Sequence, residues 1–360
     1  MDSATTVRRL AATLLIAVLA GGGHQAAAQS NDAACDIRTS ERVVAVGDVH
    51  GAFNAFVGIL RAAQLINAGN RWIGGRAVLV QNGDVLDRGP DSRRAVDLLR
   101  RLEGDASRSG GRVVSLLGNH ELMRITGDWR YVSAGELAAF RNRGLEQMRD
   151  RLRTSEGPAP GPVVDRDPFP RDSPLETDEM RRAFGPDGEY GRWVRERPTV
   201  ARINGIVFLH GGISPAIAPL GCAGINAAVR REMASLPWPP EQIASLISMS
   251  ETGPLLYRGL ILDAEETLSA GLETILDQMQ ARAMVVGHTG LPGRILVRFG
   301  GRVIGIDTGM LGGSFFPGGV AAALEWHGDR VTIIFPNRRV TLPARLVRPA
   351  PVTTPAPASR

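Results

Sequence analysis

Four of the six histidines in this 360-residue chain, His50, His120, His210 and His288, each follow an apolar run and sit in a turn that contains glycine. Carboxylates and an amide fill three glycine turns, two of which are those of His50 and His120. They read Gly47-Asp48-Val49-His50-Gly51, Gly83-Asp84-Val85-Leu86-Asp87-Arg88-Gly89 and Gly118-Asn119-His120-Glu121. Imidazole nitrogens mixed with carboxylate and amide oxygens are the donor set of borderline divalent cations, and a carboxylate in such a turn can bridge two of them. The guanidinium of Arg88, in the second of these turns and directly before Gly89, is suited to a pair of phosphate oxygens. A lone histidine behind a strand is more often a satisfied turn or core residue. Four of them, with Asp48, Asp84 and Asn119 in equivalent places, point instead to one metal site. His24 and His327 fall outside this pattern, the first in an N-terminal apolar segment and the second in an apparent hairpin turn.

The elements that must position these residues are legible as apolar runs. Val43–Val46, Ala77–Val80 and Val113–Leu117 read as buried parallel strands, each ending at one of the three turns. Ligands of open α/β sheets bind beyond the carboxyl ends of strands, which is where the turns fall. Phe53–Leu65 is expected to be a helix with Phe56, Ile59, Leu60 and Ala63 on one face. Asp91 is expected to cap a second helix, Ser92–Glu103. Residues 122–198 show helical stretches (Ala134–Arg151, Thr177–Phe184, Glu189–Arg197), the Pro-rich run Gly157–Pro174 and no strand pattern. They read either as an insertion over the strand ends that selects substrate or as a structural excursion. Strands resume at Thr199–Ile203 and Ile206–Leu209, the latter leading into His210-Gly211-Gly212-Ile213-Ser214-Pro215. A helix over Glu265–Arg282 precedes the strand Ala283–Val286 and Gly287-His288-Thr289. Arg294–Phe299, Arg302–Asp307, Val320–Trp326 and Arg330–Phe335 read as short antiparallel strands. The fold class is therefore α/β with a mixed central β-sandwich and a helical insertion.

Composition sets bounds on partners and compartment. All 42 basic residues are arginine, scattered among 37 acids, and aromatics make up 5% of the chain. No basic stripe is interleaved with aromatics, so no nucleic-acid partner is expected despite the net charge of +5. Residues 1–28 read as a secretory signal: Arg8-Arg9, an apolar stretch from Leu10 to Ala20, and Ala26-Ala27-Ala28 before the cleavage point. That places the mature chain in the periplasm or outside the cell, with no stable membrane span after cleavage; an uncleaved anchor is the alternative reading. Residues 29–40 are a linker, 41–345 the catalytic domain and 346–360 a Pro/Ala-rich tail expected to be disordered. Cys35 and Cys222 form one disulfide in an oxidising compartment or remain two thiols; their spacing alone decides nothing.

GDVHG, GDVLDRG, GNHE, HGGISP and GHT, in this order over roughly residues 41–336, resemble the calcineurin-like metallophosphoesterases. Within them the motifs are closest to the phosphoprotein phosphatases, including the bacterial Shewanella-like phosphatases. The resemblance implies an αββα sandwich and a dinuclear centre holding Mn, Fe or Zn, with a bridging hydroxide as nucleophile. It assigns Asp48 and His50 to one metal, Asp84 to both, and Asn119, His210 and His288 to the second. His120 becomes the acid for the leaving group, Asp87 its orienting partner, and Arg88 a phosphate clamp, with Asn119 also facing substrate. Arg258, in Gly253-Pro254-Leu255-Leu256-Tyr257-Arg258-Gly259, matches the segment that supplies the second clamp. Leu117 stands where many eukaryotic relatives carry arginine, so substrate choice and regulation do not carry over. The implied activity is hydrolysis of phosphomonoesters, phosphotyrosine or phosphoserine/threonine proteins first. Alternatives on the same core are a nucleotidase, a phosphodiesterase, a dinucleoside polyphosphate hydrolase or a nuclease. A non-catalytic metal-binding module is the reading from outside the enzyme class.

Overall fold

The computed structural model describes residues 33–141, 175–243 and 245–343. The expected signal segment, the Pro-rich run Gly157–Pro174, the 142–151 part of the expected helix Ala134–Arg151, and the tail 346–360 lie outside the described residues. Two mixed sheets form the core. The first has six strands in the order β11-β10-β9-β1-β2-β3: β1 (Val43–Val46), β2 (Val78–Gln81), β3 (Arg112–Ser115), β9 (Ala323–His327), β10 (Arg330–Phe335) and β11 (Arg338–Thr341). The second runs β4-β5-β6-β8-β7: β4 (Val200–Ile203), β5 (Ile206–Leu209), β6 (Ala283–Val286), β7 (Leu296–Arg298) and β8 (Val303–Gly305).

Strand periodicity builds the layers. Val43 and Ala45 face the second sheet and share a buried cluster with Phe208, Val285 and Ile304. Val44 and Val46 face the other way, into a cluster with Phe56, Ile59 and Leu60 of α1 (Phe53–Ala62) and Leu98, Leu99 and Leu102 of α2 (Ser92–Arg108). On the far side, Val207 and Leu209 of β5 meet Cys222 and Ile225 on the helix Gly221–Ala234 and Leu272, Ile275 and Leu276 on the helix Glu265–Gln278. The result is helix, sheet, sheet, helix. Each fully buried branched aliphatic side chain contributes about 1.5–3 kcal/mol to holding these layers together.

Between the two sheets' contributions lie the helices α3 (Asn119–Thr126), α4 (Ala134–Ala138), α5 (Leu175–Phe184) and α6 (Glu189–Arg195), with no strand among the described residues of 122–198. Phe140, Phe184 and Tyr190 pack against one another there in tilted and edge-to-face pairs, at centroid distances of 5.4–5.8 Å. Among the described residues no helix is long and apolar enough to cross a membrane.

Several expectations change in detail. Asp91 occupies the N-cap of α2 but makes no side-chain cap; its Oδ1 accepts from Arg94 Nη1 at 3.0 Å instead. The strand expected to be antiparallel over 302–307 is β8, which pairs antiparallel with β7 but parallel with β6. The helix expected over Glu265–Arg282 ends at Gln278 because the chain must turn into β6. Strand β11 was not expected: all four of its residues are exposed, so no apolar alternation marks it. Cys35 and Cys222 are bonded, with Cα atoms 5.8 Å apart, joining the segment before β1 to the start of the helix at Gly221.

Candidate active site

Six parallel strands deliver one polar side chain each to the same place. Asp48 follows β1, Asp84 follows β2, Asn119 follows β3, His210 follows β5, His288 follows β6 and Asp307 follows β8. The pairings β1–β2–β3 and β5–β6–β8 are parallel within their sheets, so all six carboxyl ends point to one edge of the sandwich. The two sheets are stapled at that edge by Asn82, whose Nδ2 donates to Leu209 O and Val285 O at 3.0 Å.

The backbone there is bent into conformations that side chains rarely adopt. His50 (φ 46°), Asp84 (54°), Asp87 (69°), Arg88 (67°) and His288 (63°) are all left-handed. Such residues cost on the order of 1–3 kcal/mol each and persist only where the surroundings over-determine them. Much of that determination comes from Glu121. Its buried carboxylate accepts from the backbone N–H groups of Asp84 (2.8 Å), Val85 (2.8 Å), Leu86 (3.2 Å) and Gly118 (2.9 Å), locking two of the three turns together. Gly118 is required for that closeness: a Cβ there would lie 2.3 Å from both Asp84 N and Asp84 Oδ1.

Around Asp84 the expected ligands converge. Asp84 Oδ2 is 3.6 Å from His50 Nε2 and 3.2 Å from His210 Nε2, and Asp48 Oδ2 is 3.8 Å from the same His50 nitrogen. Asn119 Oδ1 lies 3.0 Å from His210 Nε2. Asp84, His210 and His288 offer ligand atoms within 4.8 Å of one another, and so do His50, Asp84 and His120. Asp84 is common to both groups. His50 Nδ1 donates to Leu86 O and His210 Nδ1 to Asn82 O, each at 2.9 Å. Because a carbonyl can only accept, these bonds turn both Nε2 atoms toward Asp84, as outer partners of metal-binding histidines do.

The electrostatics of the site favour a cation. Burial, then Asp307 and Asp84, push the Asp48 carboxyl well above its ordinary range. Burial also raises Asp84, but His210, His120 and His50 outweigh it and hold this carboxyl well below the usual value. Burial lowers His50 to about 3 and His288 to about 2, so both imidazoles are neutral with lone pairs to offer. Asp307 is raised by burial and by Asp84. Crowded buried carboxylates that oppose one another's ionisation, set beside the neutral imidazoles of His50 and His288, are satisfied by divalent cations. The donor set fits a metal centre.

His120 belongs to one of these groups, its Nε2 3.8 Å from Asp84 Oδ2, but it has a further carboxylate partner. Its Nδ1 is hydrogen-bonded to Asp87 Oδ2 at 2.7 Å and its backbone N–H donates to Asp84 Oδ1 at 3.0 Å. Nδ1 is thus committed, and the free Nε2 belongs to the residue that lines the cavity. Arg124, fully buried, donates through Nη2 to Asp87 Oδ1 and lies 3.2 Å from Glu136 through Nη1. Asp84, Arg88, Asn119, His120, Arg258 and His288 all line one cavity of about 420 Å³. Arg88 Nη1 rests against the His50 ring nitrogens, and Arg258 Nη1 donates to His288 O at 2.8 Å. Larger clefts of about 680 Å³, at Asp36–Ser40 and at His327–Arg330, bring together no such set.

Residues 41–292 match the family model of the calcineurin-like phosphoesterases. The chain belongs to this family. It is a metal-dependent hydrolase of phosphoric esters. An uncharacterized protein of Schizosaccharomyces pombe is 31% identical over 280 residues, 74% of this chain and 73% of that protein. Shewanella-like protein phosphatase 1 of Plasmodium berghei is 28% identical over 279 residues, 76% and 68% of the two chains. Among solved structures, the cold-active protein-tyrosine phosphatase of a psychrophilic Shewanella superposes with a TM-score of 0.66 at 26% identity, covering 85% of this chain and 82% of that one.

This candidate site gathers every residue that the motifs singled out: Asp48, His50, Asp84, Asp87, Arg88, Asn119, His120, His210, Arg258 and His288. Sequence reasoning left out five others, of which only Asp307 was weighed, as the residue that closes a strand near the site. Glu121 was inside a quoted motif, and Asp307 ended a recognised strand, so both had a signal. Asn82, between Gln81 and Gly83, looked like ordinary turn chemistry. Arg124 and Glu136 lie within the 122–198 stretch, where nothing in the pattern marks a buried ion pair.

Proposed function

We propose that this phosphoesterase hydrolyses phosphomonoesters on proteins, at phosphotyrosine or phosphoserine/threonine. The observation that carries the reading is the placement of the His120–Asp87 pair beside the Asp84-centred cluster, in one cavity with Arg88 and Arg258. Asp48 and His50 would hold one cation, Asn119, His210 and His288 a second, with Asp84 shared; Mn, Fe or Zn suits this mixture of oxygen and imidazole donors. Two such cations supply Lewis acidity toward phosphate oxygens and lower the pKa of an attacking water.

The rest of the chemistry belongs to the chain. Arg88 and Arg258 clamp the phosphoryl oxygens and fix the ester bond for in-line displacement. His120 Nε2 gives its proton to the departing oxygen, while Asp87 holds Nδ1 and so sets the ring's orientation and tautomer. Arg124 holds the second oxygen of Asp87, and Asn119 faces the substrate from the start of α3. The names of the Plasmodium and Shewanella relatives support a protein substrate.

The test is a set of initial rates on metal-stripped protein with Mn²⁺, Zn²⁺ or Fe²⁺ restored. Substrates are a phosphotyrosine peptide, a phosphoserine peptide, a nucleoside monophosphate and a phosphodiester. The proposal expects the highest kcat/KM on a phosphopeptide. A preference for the nucleotide or the diester would keep the metal chemistry and move the function to small molecules.

A further inference from the structure

Two aromatic rings at the rim of the cavity are used by nothing described so far. Tyr131 is 42% exposed, yet its ring centroid lies 5.1 Å from that of His120, and its backbone carbonyl accepts from Arg88 N at 2.8 Å. Phe316 comes from the opposite part of the chain, in the Gly-rich run 309–319. Its ring stacks on His50 at 5.9 Å with an interplanar angle of 15°. The Arg88 guanidinium carbon is 5.4 Å from the Tyr131 centroid and 5.6 Å from that of Phe316. Both rings line the cavity.

The position of Phe316 is built into its loop. Phe316 N donates to Gly312 O at 3.2 Å and Phe316 O accepts from Gly319 N at 2.8 Å. Gly309, at φ +66°, leaves room for it, since a Cβ there would lie 2.7 Å from Phe316 Cβ.

From this placement, and resting on the phosphomonoesterase reading above, we infer that Tyr131 and Phe316 form a slot for the leaving group and select aryl phosphates, phosphotyrosine over phosphoserine. The leaving oxygen must sit beside His120 to receive its proton, and the phosphoryl group must sit against Arg88. A ring attached through that oxygen rises between the same two groups, where Tyr131 borders His120 and Phe316 borders Arg88. It meets the rim rings at distances typical of offset or edge-to-face contacts. A phosphoserine places one methylene and then peptide backbone at that height. It gains no ring contact and brings polar backbone groups against aromatic faces.

The experiment compares kcat/KM for one peptide sequence carrying phosphotyrosine or phosphoserine, in the metal-loaded wild-type protein and in Tyr131→Ala, Phe316→Ala and Tyr131→Phe. Inhibition by inorganic phosphate is measured alongside. The wild type is expected to favour phosphotyrosine by at least about tenfold. Each alanine variant should lose several-fold to about tenfold on phosphotyrosine, the range of a lost aromatic contact, with less than about a twofold change on phosphoserine and in the inhibition constant of phosphate. Tyr131→Phe, which keeps the ring, should retain the preference. Equal losses on both peptides, or a wild type without preference, would overturn the slot and leave the phosphomonoesterase reading standing. Release of phosphate from neither peptide would overturn that reading, and the slot with it.

Discussion

Replacing His120 by asparagine is expected to lower kcat on a phosphoserine peptide by about 10²–10⁴, the usual contribution of a positioned general acid. On an aryl phosphate with a strongly acidic phenol the same replacement should cost far less, because that leaving group departs without a proton. The contrast between the two substrates identifies His120 as a donor to the leaving oxygen. A simple loss of folding or of metal would lower both rates together. Geometry motivates the expectation: Nδ1 is held by Asp87 at 2.7 Å, and His120 lines the same cavity as Arg88 and Arg258. Asp87→Asn should show the same dependence on leaving group at smaller amplitude, since it disturbs the ring's tautomer without removing the donor. Unchanged kcat of His120→Asn on the phosphoserine peptide would remove His120 from this role.

The second large effect is expected at Asp84. Asp84→Asn preserves shape, and asparagine tolerates the left-handed backbone that Asp84 adopts at φ 54°. It removes the one charge common to both ligand groups. Charge stabilisation by metal ions is worth several kcal/mol at the transition state, so kcat is expected to fall by about 10³ or more. Initial rates of the metal-loaded variant and wild type on one phosphopeptide check the point: a fall of less than about tenfold would remove Asp84 from the shared position.

How much of this was legible in the chain follows from the physics of each residue. The strands before His50, Asp84, His210 and His288 are buried on both faces, and the strand before Asn119 is buried over its second half, so they read as apolar runs, and the turns behind them could be lined up by eye. Their convergence could be expected because parallel strands share a direction. The left-handed backbone at His50, Asp84, Asp87, Arg88 and His288 could not be read from residue types, because these side chains do not favour it; the Glu121 carboxylate and close glycine contacts impose it. The Arg124–Asp87–Glu136 link joins residues from a turn, α3 and α4, and depends on packing that no periodicity encodes. Tyr131 and Phe316 were hidden for the same reason. They lie far apart in sequence, and only the folded sandwich places them over one arginine. The Cys35–Cys222 bond needed the separation of two Cα atoms, which spacing along the chain does not give.

The central claim is that two cations, joined through Asp84, are needed for hydrolysis. The most direct measurement titrates metal-stripped protein with Mn²⁺ while recording bound metal and phosphate release from an aryl phosphate on the same samples. The account predicts negligible release without metal, saturation of the rate at two bound ions per chain, and fewer than two ions held by Asp84→Asn. Full activity in the stripped protein, or saturation at a single ion in the wild type, would contradict it.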